Sequence, residues 1–280
     1  VQECAVYRPE KRRSIAHILA DRAQPHYIAR GLGRSYGDAA TNGGGGVICC
    51  ERLDRMLDFN AETGVLQCEP GVSFADIIDT FLPRGFFVPV TPGTKFITVG
   101  GAIANDVHGK NHHRDGSFGN AVIEFDLLLP SGEVMRCSRE KNPDVFWATI
   151  GGIGLTGVVL NASMKLHRAP SAYVLVDYLK TTDLDGVLAA IAESDEQYQY
   201  SMAWVDGLAR GKSLGRSVLM RGNFASPDAL PSRSRSNPFH VPGRFQPFMP
   251  IDLPQFVLNP LSVGAFNTLY YAFGPSAEGK

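Results

Sequence analysis

The chain has no C-x-x-C pair. Its five cysteines, Cys4, Cys49, Cys50, Cys68 and Cys137, form an odd and scattered set that suits neither a disulfide framework nor a zinc site. Buried, reduced thiols are expected instead, which points towards a reducing compartment. Long apolar runs are missing as well: none approaches the roughly 18 residues that a membrane span needs, so no transmembrane segment is expected. Val1 to Glu10 contains Glu3 and Arg8 and lacks the apolar stretch of a signal peptide. The chain starts on Val1 rather than on methionine, so that absence weighs little. The expected location is the cytoplasm or the periphery of an inner membrane, with the periplasm open to a protein exported in folded form. Charge of one sign is not in excess: 27 Lys and Arg face 28 Asp and Glu, and a net charge of −1 gives no reason to expect nucleic acid as a partner. Gly33 to Gly37 matches G-x-S-x-G in its letters, but no apolar-periodic helix opens after it as a nucleophile elbow requires, which disfavours a Ser-His-Asp hydrolase; no repeat of fixed period is present.

What the chain does have is glycine in three places. At 280 residues, 44% hydrophobic and 20% charged, it is long enough for two domains of ordinary globular composition. The stretch from Thr91 to Gly119 reads TPGTKFITVGGAIANDVHGKNHHRDGSFG and holds six glycines among small and polar residues. Glycine lets backbone N–H groups approach a ligand with no Cβ in the way. With Thr94, Thr98, His108, Lys110, Asn111 and His112 beside them, these glycines read as a binding wall. The alternative is an ordinary glycine-rich loop.

Along the chain, Ile15, Ile18, Leu19 and Arg22 stand at helical spacing within Lys11 to Gln24. His26 to Ala29 reads as a strand and runs into ARGLGRSYGDAATNGGGG, residues 29 to 46. Val47 to Cys50 and Val65 to Cys68 read as strands separated by polar turn residues. Ser73 is a plausible N-cap, with Asp76 three residues on and Phe74, Ile77, Ile78, Phe81 and Leu82 on one helical face. Val122 to Leu129 and Val134 to Cys137 form a hairpin pattern around Ser131 and Gly132. Asp144 to Ile150 reads as a helix, and Val158 to Leu166 alternates as a strand does. From Ser171 the pattern predicts a β-α-β unit: Tyr173 to Leu179, Leu184 to Tyr198, and Tyr200 to Val205. Eight of the 18 prolines then fall in the 34 residues from Pro227 to Pro260, a density that neither helices nor central strands tolerate. That segment is expected to be a mobile loop, and Thr268 to Phe273 a strand.

Gly152 to Gly157 matches G-x-G-x-x-G, with Asp177 twenty residues beyond. A Rossmann unit needs a strand before that fingerprint and a helix after it; the patterns here run in the opposite order. Gly31 to Asp38 also misses the Rossmann spacing, yet its glycines form a potential anion nest with Arg30, Arg34 and Ser35 as donors. The alternative there is a tight turn with surface arginines. His108, His112 and His113 lack a convincing further ligand, so no metal is expected. Three donor-rich, glycine-rich segments near residues 30, 100 and 155 suit a long cofactor with a pyrophosphate and a polar ring system, and FAD fits that description.

RGLGRSYGD, PGTKFITVGGAIANDVHGKNHHRDGSFGN and FWATIGGIGLTG together resemble the FAD-binding segments of the vanillyl-alcohol oxidase and p-cresol methylhydroxylase (PCMH) superfamily. The likeness runs from about Tyr27 to about Pro275. It implies an α+β fold: a PCMH-type FAD-binding domain of two α/β subdomains over 1–170, then a sheet-based substrate or cap domain over 171–280, incomplete at the C-terminus. The family chain continues well past the position of Lys280. A lysine of the active site, the last FAD contact and the candidate general base would lie there.

The cofactor contacts carried over by the resemblance start with Ala29, Arg30, Gly31, Leu32, Gly33, Arg34, Ser35, Tyr36, Gly37 and Asp38. They continue with Pro92, Gly93 and Thr94, then Thr98, Val99, Gly100 and Gly101. Asn105, Asp106, Val107, His108, Gly109, Asn111 and His112 follow, and Gly154, Gly157 and Val159 complete the set. His108 and Lys110 match residues beside the isoalloxazine and Tyr36 one lining the pocket, so these three are the candidate catalytic residues. Arg34 stands where covalent members carry a histidine, which implies a non-covalently held flavin. Asn105 stands where some members have a cysteine.

The activity implied is oxidation of a sugar hydroxyl to a ketone on a lipid-linked sugar phosphate, at the 2′ position of a polyprenyl-phosphoryl ribose. An NAD(P)H-dependent keto-sugar reductase would complete an epimerisation to arabinose for cell-wall polysaccharide. Oxidation of a soluble alditol, aldose or aldonolactone is the alternative, and a flavin-binding module without turnover is a third reading.

Overall fold

The structure is a computed structural model and describes residues 3–241 and 257–276. The chain divides into two compact units, Val1–Ala169 and Pro170–Lys280. The first contains, in order, β1 (Ala5–Tyr7), α1 (Arg12–Ala20), β2 (Tyr27–Arg30), β3 (Gly46–Cys49), β4 (Met56–Asn60), β5 (Val65–Cys68), α2 (Phe74–Phe81) and β6 (Phe86–Phe87). It continues through α3 (Val99–Ala104), α4 (His112–Asp115), α5 (Phe118–Ala121), β7 (Val122–Leu128), β8 (Val134–Ser138), α6 (Pro143–Thr149), β9 (Val158–Lys165) and β10 (His167–Arg168).

Besides a two-stranded antiparallel pair of β6 and β10, two larger sheets carry this unit. The smaller is parallel, in the order β1-β3-β2, and all four residues of its central strand β3 are buried. The larger is antiparallel, in the order β4-β5-β9-β7-β8. Seven of the eight residues of β9 are buried, Lys165 being the exception. The reason is that both faces are covered. Val158 and Leu160 join Ile15 of α1, Ile48 of β3 and Leu128 of β7 in one apolar cluster, whereas Val159, Ala162 and Met164 join Phe74, Ile77 and Phe81 of α2 in a second. Burying each such large side chain contributes about 1.5–3 kcal/mol. Among the polar members of β9, Asn161 donates to Asp126 Oδ2 at 2.7 Å.

Local signals set the entry to α2. Ser73 Oγ accepts the Asp76 N–H and the Asp76 carboxylate accepts the Ser73 N–H, each at 3.1 Å, a reciprocal cap that satisfies two otherwise orphaned donors. The β7–β8 hairpin turns at Gly132, whose φ of +89° only glycine adopts freely. α1 is shorter than the sequence pattern, and β4 occupies the interval that reads as polar turn residues.

The second unit contains β11 (Val174–Thr181), α7 (Leu184–Ser194), β12 (Tyr200–Val205), β13 (Ser217–Phe224), α8 (Ser232–Arg235) and α9 (Pro260–Phe273). Two corrections arise here. The strand-helix-strand order of the expected β-α-β unit is present, but β11 and β12 are not neighbours: β13 lies between them and pairs antiparallel with both. Thr268 to Phe273, expected as a strand, is the last part of helix α9. That helix starts where Asn259 Oδ1 accepts from Leu261 and Ser262 N–H, with Pro260 in its first turn where a missing N–H costs nothing. Of the Pro-rich stretch expected to be mobile, residues 242–256 lie outside the described residues. Pro227–Ala229 and Ser232–Arg235 are short helical turns.

Asp206 fastens α9 to this sheet. It is 2% exposed and accepts from Arg216 Nε at 2.9 Å, Leu208 N–H at 3.0 Å and Asn267 Nδ2 at 2.6 Å. Burial alone would raise its carboxyl, but the hydrogen bonds from Arg216, Leu208 and Asn267 outweigh burial and hold it below the ordinary value. A depressed folded-state pKa contributes stability that is complete above the unfolded value, about 3.9, and lost as pH falls through the folded one. Thermal melts of wild type and Asp206→Asn are therefore expected to differ most at neutral pH and to converge as pH falls below about 4. A constant difference down to about pH 3 would contradict this role.

Candidate functional site

The three glycine-bearing segments meet around one cavity of about 500 Å³ in the first unit, within the range of cofactor pockets. β2 delivers Ala29 and Arg30 to its lining, and the chain then turns through Gly33 and Gly37, each at φ +63°. Arg30 lies beneath this loop: its Nη1 donates to Ala40 O at 3.0 Å, and a Cβ on Gly33 would stand 2.3 Å from its Nη2. A Cβ on Gly31 would stand 2.1 Å from Thr98 Oγ1, so the first segment touches the second. Thr98 is 2% exposed, and its Oγ1 accepts the Gly101 N–H at 3.2 Å at the start of α3.

The second segment is fixed from behind. Asn111 is fully buried; its side chain accepts the Thr91 N–H at 3.1 Å and donates to Pro89 O at 2.7 Å and to Asp115 Oδ2 at 2.6 Å. Lys110 N–H donates to Thr91 O at 3.0 Å and Lys110 Nζ to Pro92 O at 3.3 Å. These bonds hold Pro92, Gly93 and Thr94, which line the cavity. The third segment is laced to the end of α3 by Gly151 N–H to Ile103 O at 2.9 Å and Ile153 N–H to Ala104 O at 2.7 Å. Within it, Thr149 Oγ1 gives its proton to Val145 O, so Thr156 donates across the 2.9 Å gap to Thr149.

Most of the residues singled out from the sequence line this cavity. They comprise Ala29 to Tyr36, Pro92, Gly93, Thr94, Thr98, Gly100, Gly101, Asn105, Val107, His108, Gly154, Gly157 and Val159. Gly37, Asp38, Val99, Asp106, Gly109, Lys110, Asn111 and His112 are not among its described lining residues. Val99 is buried in the core, and Asp106 accepts the Gly119 N–H at 2.9 Å. His112 opens α4, its ring 5.6 Å from that of His108. Sequence reasoning missed Ala39, Ala40, Cys50, Pro70, Ile97, Ala104, Thr149, Ile153 and Val158 in the lining. Apart from adjacency to the glycine runs, these small and apolar residues carry no signal of their own.

The donor set fits FAD. Arg30 and Arg34 line the cavity, and among the described lining residues there is no carboxylate, which suits a dianionic pyrophosphate. Outside the strand ladder, backbone N–H groups from 32 to 36 donate to no other described residue, and a Cβ on Gly93 would meet nothing within 4 Å. Cys50 lines the same cavity, but burial pushes its thiol up to about 12. Its thiolate fraction at pH 7 is thus about 10⁻⁵, too small for a competent nucleophile. A thiol reagent at neutral pH is expected to modify the exposed Cys4 at once and Cys49, Cys50, Cys68 and Cys137 only on unfolding. Rapid labelling of Cys50 would refute that environment.

Residues 4–138 match the family described as FAD binding domain. Over 246 residues the chain is 41% identical to decaprenylphosphoryl-beta-D-ribose oxidase of Mycolicibacterium smegmatis, covering 87% of this chain and 54% of that protein. It is 42% identical over 162 residues to a Streptomyces coelicolor protein described as "Uncharacterized protein in mprA 5'region", covering 58% and 44%. Cytokinin dehydrogenase 2 of Arabidopsis thaliana is 28% identical over 142 residues, covering 51% and 28%. The chain spans about half the length of the first two. Residues 4–138 are thus similar to FAD binding domains, and FAD is the cofactor that this similarity supports. Over a longer span, the chain is related to the decaprenylphosphoryl-beta-D-ribose oxidase of M. smegmatis.

Proposed function

We propose that the protein is an FAD-dependent oxidoreductase acting on a CH–OH group, and that its substrate is a polyprenyl-phosphoryl-β-D-ribose oxidised at the 2′-hydroxyl. One observation carries the flavin chemistry: a cavity bounded by three glycine-bearing segments that presents Arg30, Arg34 and loop backbone donors, with no carboxylate among its described lining residues. The likeness to a ribose oxidase over 87% of the chain supports the substrate.

FAD held there would supply a two-electron acceptor for the hydride of the carbinol carbon, with the hydroxyl proton passing to a base or to water. Arg30, Arg34 and the loop backbone donors would hold the anionic cofactor, and position 34 offers no histidine to link the ring covalently. His108, exposed and lining the cavity, stabilises charge at the reacting centre, and Tyr36, 99% exposed, flanks the entrance. Lys110 acts through the wall it braces at Pro92. The second unit serves as the substrate lobe. The ketone passes to an NAD(P)H-dependent reductase, which completes an epimerisation to an arabinose donor for cell-wall polysaccharide. No described helix is long and apolar enough to cross a membrane, and the lipid-linked substrate is met at the cytoplasmic or membrane periphery.

Anaerobic mixing of the FAD-loaded protein with a short-chain polyprenyl-phosphoryl ribose is expected to bleach the flavin, while free ribose, alditols and aldonolactones leave it oxidised. Bleaching by a free sugar or alditol, with no requirement for the lipid phosphate, would favour the soluble-substrate alternative.

A further inference from the structure

Ile153 has a φ of +55°, in the left-handed region where a β-branched side chain crowds its own backbone. Three other described non-glycine residues, Arg22, Asp106 and Asn142, also have positive φ, but none is β-branched. The sequence nearby has residues suited to that conformation: Gly151 and Gly154 adopt φ of +74° and +76°. The strained geometry is over-determined by the hydrogen bonds from Gly151 and Ile153 to Ile103 O and Ala104 O, the condition under which such strain persists. Packing inside the protein does not repay it, because Ile153 remains 46% exposed. Its place is on the lining of the cavity, next to Gly154.

We propose that Ile153 is a cofactor-contacting residue, kept in a strained conformation because its side chain packs against an aromatic ring of bound FAD. The apo-fold carries the strain, and the contact with the cofactor offsets it. This inference rests on the flavin reading above and adds a residue on which holo- and apo-protein place opposite demands.

Opposite demands give an uncommon signature. Ile153→Gly relieves the backbone and removes the contact, so the apo-protein is expected to melt about 2 °C or more above wild type while its FAD dissociation constant rises about tenfold. Ile153→Val keeps the branching and most of the contact, and both quantities are expected to stay near wild type, the affinity within about threefold. The measurements are thermal melts of deflavinated proteins and FAD titration followed by flavin fluorescence. Ile153→Gly binding FAD as tightly as wild type, or melting below it in the apo form, would overturn the proposal. A wild-type protein that takes up no FAD would overturn the flavin reading and this inference with it.

Discussion

Asn111→Leu is expected to lower the stability of the first unit by about 3 kcal/mol or more, read as a fall of roughly 10 °C in its melting temperature. Leucine has the same branched skeleton and a larger volume, so cavity formation is not the cause. The loss lies in what asparagine leaves behind: Thr91 N–H and Pro89 O without their partner, and the Asp115 carboxylate without its donor. Each unsatisfied buried group costs about 1–3 kcal/mol. Since the same bonds hold Pro92 to Thr94 at the cavity, FAD affinity is expected to fall with stability. Urea unfolding of both proteins in the absence of flavin measures the first effect. A change under about 1 kcal/mol would mean that the buried amide is replaceable by water.

The second large effect concerns the cofactor alone. Gly31→Val is expected to weaken FAD binding by about a hundredfold or more, a size known for displacements near 1 Å in positioned sites. Even the first added carbon would lie 2.1 Å from Thr98 Oγ1. That oxygen cannot turn away cheaply, because it caps α3 through the Gly101 N–H. The loop at 31–38 must therefore shift, carrying its backbone donors with it. FAD titration of Gly31→Val and of Gly31→Val combined with Thr98→Ala separates the steric cause from a general loss of structure. Partial recovery in the double variant is expected, whereas an unchanged affinity in the single variant would show that the first segment does not contact the cofactor.

Where signals are local, the chain reads correctly from its sequence. Ser73 and Asp76 lie three apart and make the cap that their types imply. At the β7–β8 tip the Ser131-Gly132 pair signals a turn, and Gly132 supplies the positive φ that the turn needs. The reversed order around Gly152 to Gly157 is likewise visible, with α6 before it and β9 after it. Non-local pairing is what escapes. Nothing near Ser217–Phe224 says that this strand inserts between β11 and β12. The aromatic run Tyr270, Tyr271 and Phe273 has strand propensity, but its helix is decided by a cap at Asn259, three turns upstream.

The site shows the same division. Glycine and arginine at 30 to 36 and the PGT and VGG runs mark the cavity because their chemistry is legible one residue at a time. The direction of a polar side chain is not. Lys110 and Asn111 stand close to His108 in the chain, yet Lys110 bonds Pro92 O and Asn111 faces Thr91, Pro89 and Asp115. Cys50 and Pro70 enter the lining only through the packing of distant segments.

The most direct test of a cavity that holds FAD without a covalent bond is the visible absorption spectrum of the purified protein, before and after acid precipitation. A flavin spectrum whose chromophore passes into the supernatant is expected from Arg34 in the lining and from a Cys50 thiol held neutral by burial. Colour retained in the pellet, or a colourless protein that takes up no added FAD, would contradict the account.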